Sequence, residues 1–158
     1  MDFSVDIETN SFSLQSFQSR HILTQVGHQQ IGFPSQWVAE IMIVERSQIL
    51  KLPFYDSMVL GVVYHHSSII PLVALQFTNL VSQVRINQRP RIQETLTAIR
   101  LSQSVNELSG IGLIVDRVIG SISHEQLSAK ESKATAASDP QIEVFQLERI
   151  PPSIWQPR

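Results

Sequence analysis

Between Leu52 and Leu75 the chain reads LPFYDSMVLGVVYHHSSIIPLVAL, two almost wholly apolar runs around a polar tetrapeptide. The runs, Met58–Tyr64 and Ile69–Leu75, are seven residues each and rich in Val, Ile and Leu. That is too short to cross a bilayer and typical of a buried strand. The intervening His65-His66-Ser67-Ser68 is short enough to close a hairpin. The stretch therefore predicts the centre of a small β-structure.

The flanking segments fit around such a hairpin. Residues 1–20 are polar with scattered Phe and read as a mobile arm. His21–Val26 predicts a strand, Gly27–Gln30 a turn and Ile31–Phe33 the return strand. Pro34 and Ser35 punctuate the chain. With Ser35 as N-cap, a short helix is expected over Gln36–Ile43, because Trp37, Val38, Ile41 and Met42 share one helical face. Gln48–Leu52 reads as a strand, Pro53–Ser57 as a turn, and Gln76–Leu80 as one helical turn. Val81–Glu94 is a basic, Gln-rich loop with Arg85, Arg89 and Arg91. Thr95–Leu101 predicts the first strand of a second lobe, Ser102–Gly110 a loop and Ile111–Ile119 one further strand. Ser123 and Gln126 have capping-box spacing. Ser128–Pro140 is small and polar, as linkers are. Pro151, Pro152 and Pro157 disfavour regular structure over the last eight residues, leaving Val144, Phe145 and Leu147 to dock as one edge strand.

A chain of 158 residues suits one domain or two small lobes sharing a core. A net charge of −2 gives no bulk electrostatic reason to expect nucleic acid as a partner. There is no cysteine, which excludes disulfides and thiolate zinc sites and suits a reducing cytoplasm. Asp2, Asp6 and Glu8 stand where a secretory leader would be basic, so none is expected. No window approaches the roughly 20 apolar residues of a membrane helix. Membrane association is expected only through a partner.

Motifs that carry chemistry are sparse. Adjacent imidazoles such as His65 and His66 are expected to point to different sides of a hairpin tip, giving a polar turn rather than a metal site. Gly110-Ile111-Gly112 starts like a dinucleotide fingerprint, but Val115 stands at the third glycine position and the segment continues as a strand. Asp116 and Arg117 read as a solvated or rim ion pair. The Arg85–Arg91 loop lacks interleaved aromatics and reads as solvated. No nucleophile elbow, His-Glu-x-x-His or phosphate loop occurs, so neither enzymatic activity nor a cofactor or metal is expected.

Pro53, Gly61, Pro71, Val73 and Leu75 fall in the order and spacing of the central hairpin of CheW-like domains, which this chain resembles. Three further pieces follow in family order: Val38-Ala39-Glu40-Ile41, Gly112-Leu113-Ile114-Val115-Asp116-Arg117-Val118 and Ser123–Leu127. Together they cover residues 21–127, about two-thirds of the chain. The resemblance implies a mainly β fold of two intimately packed, five-stranded, Src-homology-3-like barrels with short helices. Three features depart from the family. Tyr64-His65-His66-Ser67 replaces its usual Asn-Leu-Arg-Gly turn, Ala74 replaces an Asp, and Gln141–Arg158 does not match its closing elements.

CheW-like proteins are adaptors, so the resemblance implies a cytoplasmic, non-enzymatic scaffold for a chemotaxis-type pathway. The implied partners are the regulatory domain of a CheA-like histidine kinase and the cytoplasmic tip of a methyl-accepting-type receptor. Val38, Gly61 and Val62 would offer edge packing, with Glu40 and His66 giving polar specificity. Gly61, mid-strand, weakens its strand unless another backbone approaches closely. A single-partner regulator of the same fold is one alternative. A small-ligand-binding barrel or enzyme is the other, and it requires a pocket with converging polar groups.

Overall fold

The computed structural model describes residues 20–75, 94–133 and 141–158. The readings made for the N-terminal arm before Arg20, for 76–93 and for 134–140 lie outside these residues. The described strands are β1 (Arg20–Val26), β2 (Gln29–Pro34), β3 (Val38–Glu45), β4 (Val59–His65), β5 (Ser68–Ala74), β6 (Thr95–Leu101), β7 (Gly112–Val115), β8 (Arg117–Ser123) and β9 (Ile142–Val144). They form a four-stranded sheet ordered β8-β1-β2-β9 and a five-stranded sheet ordered β3-β6-β7-β5-β4. Both sheets interleave early and late segments, so neither is a contiguous half of the sequence.

The helix expected over Gln36–Ile43 is instead a single 3-10 turn, Ser35–Trp37, followed by β3. Residues 38–45 are VAEIMIVE, and this β-branched run suits a pleated edge. Met42 and Val44 are buried while Ile41 and Ile43 are exposed, a period of two. Ladder pairing with β6, from Val38 opposite Leu101 to Glu45 opposite Thr95, decides the outcome.

The run Ile111–Ile119 is also not one strand. β7 pairs with β5 and β6, whereas β8 pairs with β1, and the chain changes sheets at Asp116. The Asp116 amide donates to the Gln25 carbonyl at 2.8 Å, and its Oδ2 accepts the Gly27 amide at 2.6 Å. Asp116 thus fastens the β1–β2 turn at the crossover.

The five-stranded sheet curls on itself. In a flat sheet its edge strands β3 and β4 would lie about 19 Å apart. Instead Met42 and Val44 of β3 share one buried cluster with Val63 of β4, Ile70 and Leu72 of β5, and Ala98 of β6. Leu50 and Val62 exchange two backbone hydrogen bonds of 2.9 Å, so the segment after β3 covers the outer edge of β4. This bridge is what forms of the strand expected over Gln48–Leu52.

The larger core lies between the sheets. Phe33, Ile99, Leu113 and Val73 are fully buried there with Phe145, Ile150 and Ile154 of the C-terminal segment. Phe145 stacks obliquely on Phe33, with centroids 4.8 Å apart, and meets Trp37 edge-on. β9 adds parallel to β2, and the prolines that follow delimit two 3-10 turns. Each fully buried large side chain contributes roughly 1.5–3 kcal/mol, so Phe145, Ile150 and Ile154 anchor Gln141–Arg158 to the core. Ser123 and Gln126 form the expected capping box, each side chain meeting the other's amide at 3.2 Å. The helix they begin, His124–Lys133, runs into the segment of linker-like composition and sets Leu127 against Leu23 and Ile142. No helix among the described residues is long and apolar enough to cross a membrane.

Candidate functional site

One end of the curled sheet is closed by side chains from three strands. Glu40 follows a register shift in β3 and sits directly opposite Arg100 of β6. By strand alternation Glu40 lies on the face of Met42, Arg100 on that of Ala98, and His65 on that of Val63. All three therefore point toward the mouth of the same small core. There the His65 Nε2 meets Glu40 Oε1 at 2.8 Å, and Arg100 lies 3.5 Å from Glu40 Oε2. The hydrogen bond from His65, the two nearby imidazoles and Arg100 hold the Glu40 carboxyl below its ordinary pKa, against a smaller opposing effect of burial. The cluster joins β3 to β4 across the seam that no ladder closes.

His66 completes the cluster. The hairpin turns through His66 and Ser67, with φ of 44° and 64°, the left-handed pair a two-residue turn needs. This twist brings the rings of His65 and His66 together, with centroids 3.9 Å apart. They do not point to different sides as strand alternation alone predicts. His66 Nδ1 lies 3.7 Å from Glu40 Oε1, so both imidazoles address one carboxylate oxygen.

Of the residues singled out in the sequence, Glu40 and His66 are thus brought together. Gly61 serves a different contact. A Cβ there would lie 2.2 Å from the Leu50 carbonyl oxygen, and its φ is +142°. The close backbone approach is intramolecular. Val62 is half-buried with its backbone held by Leu50, and Val38, opposite Leu101, packs against the larger core.

Sequence reasoning missed Arg100, whose one signal is a cation inside the apolar run TLTAIRL. It also missed a set of exposed apolar side chains on and beside the five-stranded sheet. Tyr64 and Ile69, cross-strand partners, are 72% and 70% exposed, and Ile43 is 65% exposed. Leu50 and Phe54 lie as open in the connection between β3 and β4. The signal available was an apolar residue on both parities of a strand.

No protein-family model and no curated protein matches the sequence. Among solved structures the chain is similar to the scaffolding protein TtCheW from Thermoanaerobacter tengcongensis, with a TM-score of 0.50 and 21% identity. The match covers 67% of this chain and 62% of that one, so the chain spans less than two-thirds of that protein's length. The fold is therefore CheW-like and mainly β, the class the sequence resembles.

Proposed function

We propose that this chain is a coupling scaffold that holds the tip of a chemoreceptor-type sensor and the regulatory domain of a CheA-like histidine kinase in one complex. The observation that carries this reading is the exposed apolar set Ile43, Leu50, Phe54, Tyr64 and Ile69 on a fold shared with a scaffolding protein. Tyr64 and Ile69, adjacent across the hairpin and both largely exposed, form an apolar pair of the kind that marks a protein-binding face. They supply aromatic and aliphatic anchors on a hairpin whose two strands are paired backbone to backbone. In this reading the kinase's own small barrel seats on that rim. The receptor's helical tip takes the inter-lobe groove that the resemblance to CheW-like domains implies, beside Val38. Holding both partners raises their effective concentration without chemistry, and the role belongs on the cytoplasmic side of the receptor.

Glu40, Gly61 and Val62 act in this proposal by shaping the rim, while His66 stands at its exposed tip. The test is affinity capture from the source cell, followed by pull-down with the captured kinase and receptor. Tyr64→Asp and Ile69→Asp should abolish kinase capture without lowering the melting temperature. Normal capture of both partners by both variants, or the absence of any kinase and receptor among the captured proteins, overturns the proposal. Capture of one partner alone identifies a regulator rather than a coupler.

A further inference from the structure

We propose that Glu40, His65 and His66 form a binding site for a divalent first-row transition metal of the kind imidazole favours, Zn(II), Ni(II) or Cu(II). The proposal does not depend on the coupling role. One ligand atom from each residue lies within 4.8 Å of those of the other two, and Glu40 Oε1 is 2.8 Å from His65 Nε2 and 3.7 Å from His66 Nδ1. A tetrahedral ion with bonds of about 2.0–2.1 Å requires ligand atoms roughly 3.3–3.4 Å apart. The Glu40–His66 separation of 3.7 Å is close to that value, and the Glu40–His65 hydrogen bond of 2.8 Å must open by about half an ångström. An exposed imidazole on a turn and a carboxylate with rotatable χ angles accommodate such a change.

The set is built rather than accidental. Adjacent histidines in a plain strand would diverge, and it is the left-handed His66–Ser67 turn that makes both rings converge on Glu40. Glu40 comes from a strand 25 residues away and is held in place by Arg100 on its other oxygen. Arg100 thereby orients the carboxylate while leaving Oε1 to the ion, the usual arrangement of an outer partner. Its positive charge also lowers affinity for a dication, so micromolar rather than picomolar binding is expected. Two nitrogens and one oxygen, with no thiolate, select against Cu(I) and against hard cations such as Mg(II). His66 is 75% exposed, so the remaining coordination position faces solvent. The chain has five histidines, and the other three, His21, His28 and His124, lie on β1, on its turn and on the helix, away from this tip.

The test uses the full chain, without an affinity tag and stripped of metal. Zn(II) is titrated against a chromophoric chelator, and Co(II) is followed by its visible absorption. A single bound equivalent is expected, with tetrahedral or five-coordinate Co(II) bands and a rise in melting temperature on adding Zn(II). His66→Ala should weaken binding roughly ten-fold or more and remove that rise while leaving the metal-free melting temperature unchanged. His65→Ala and Glu40→Gln should weaken it similarly, and His28→Ala and His124→Ala should not. No stoichiometric binding, or binding undiminished in both His65→Ala and His66→Ala, overturns the proposal.

Discussion

Replacing Gly61 by alanine probes the closure of the five-stranded sheet directly. The added Cβ would sit 2.2 Å from the Leu50 oxygen and 2.9 Å from its carbonyl carbon, on a backbone with φ of +142°. Relieving that contact moves Leu50 by about 1 Å, since non-bonded heavy atoms settle near 3.5 Å. Such a shift disrupts the two 2.9 Å hydrogen bonds between Leu50 and Val62, each contributing about 1 kcal/mol. Holding a non-glycine residue at this φ adds about 1–3 kcal/mol of backbone strain. The sum is a loss of roughly 3–5 kcal/mol, or a melting temperature lowered by about 6–20 °C. Two other glycines separate the contributions. Gly110, with φ of +80° and open space around its Cβ position, should lose about 1 kcal/mol as alanine from strain alone. Gly120, also in open space, should change by no more than about 0.5 kcal/mol. Denaturant unfolding of the three variants gives the comparison. A Gly61→Ala protein within about 0.5 kcal/mol of wild type would refute the intramolecular role assigned to this glycine.

Four further outcomes are expected. Ser67→Gly should stabilise the protein by about 0.5 kcal/mol, because the relief of strain at φ of 64° exceeds the larger chain entropy that glycine loses on folding; chemical denaturation measures it. Phe145→Ala should cost about 3–5 kcal/mol in the same assay, since the C-terminal segment is core, and an unchanged midpoint would show it to be peripheral. Glu40→Gln should cost about 1 kcal/mol near neutral pH. Because the folded carboxyl titrates below its ordinary value, that contribution is present above about pH 4.3 and is lost as pH falls through the lowered pKa, so the two proteins' stabilities should converge in acid. His21 is buried beside the His124 ring, 5.9 Å away, and burial followed by that neighbour lowers its pKa despite the opposing Glu131. Its unfolded form then binds more protons below about pH 6.5, so stability should fall from about pH 7 to pH 5, and His21→Leu should flatten that slope.

Much of this architecture was legible in local pattern. The hairpin strands fall within one residue of the apolar runs, Thr95–Leu101 is a strand end to end, and the Ser123–Gln126 capping box forms. The failures share a physical cause, which is pairing between distant segments. Trp37, Val38, Ile41 and Met42 share one helical face, while VAEIMIVE is apolar on both parities of a strand, so only β6, far along the chain, selects the strand. Ile111–Ile119 is one apolar run divided between two sheets by a single aspartate. The cluster at the barrel mouth was half visible. Glu40 and His66 stand out through the resemblance to CheW-like domains, but their meeting depends on sheet curl and on a left-handed turn without the usual Asn-Gly signal.

The seam between β3 and β4 links these observations. Backbone ladders run from β3 through β6, β7 and β5 to β4 and stop there. Closure rests on Glu40 with His65 at one end and on the Leu50–Val62 bridge further along. Regions held by side chains and a single bridge open at lower free energy than those inside a ladder. The exposed apolar residues occupy both sides of that seam: Ile41 and Ile43 on β3, Leu50 on the covering segment and Tyr64 on β4. A partner seated across them favours the closed barrel by its affinity for that form, and an ion held by Glu40, His65 and His66 favours the same form. A partner that spans both β3 and β4 would therefore reinforce the ion through the barrel, because Glu40 meets His65 and His66 only when the seam is shut.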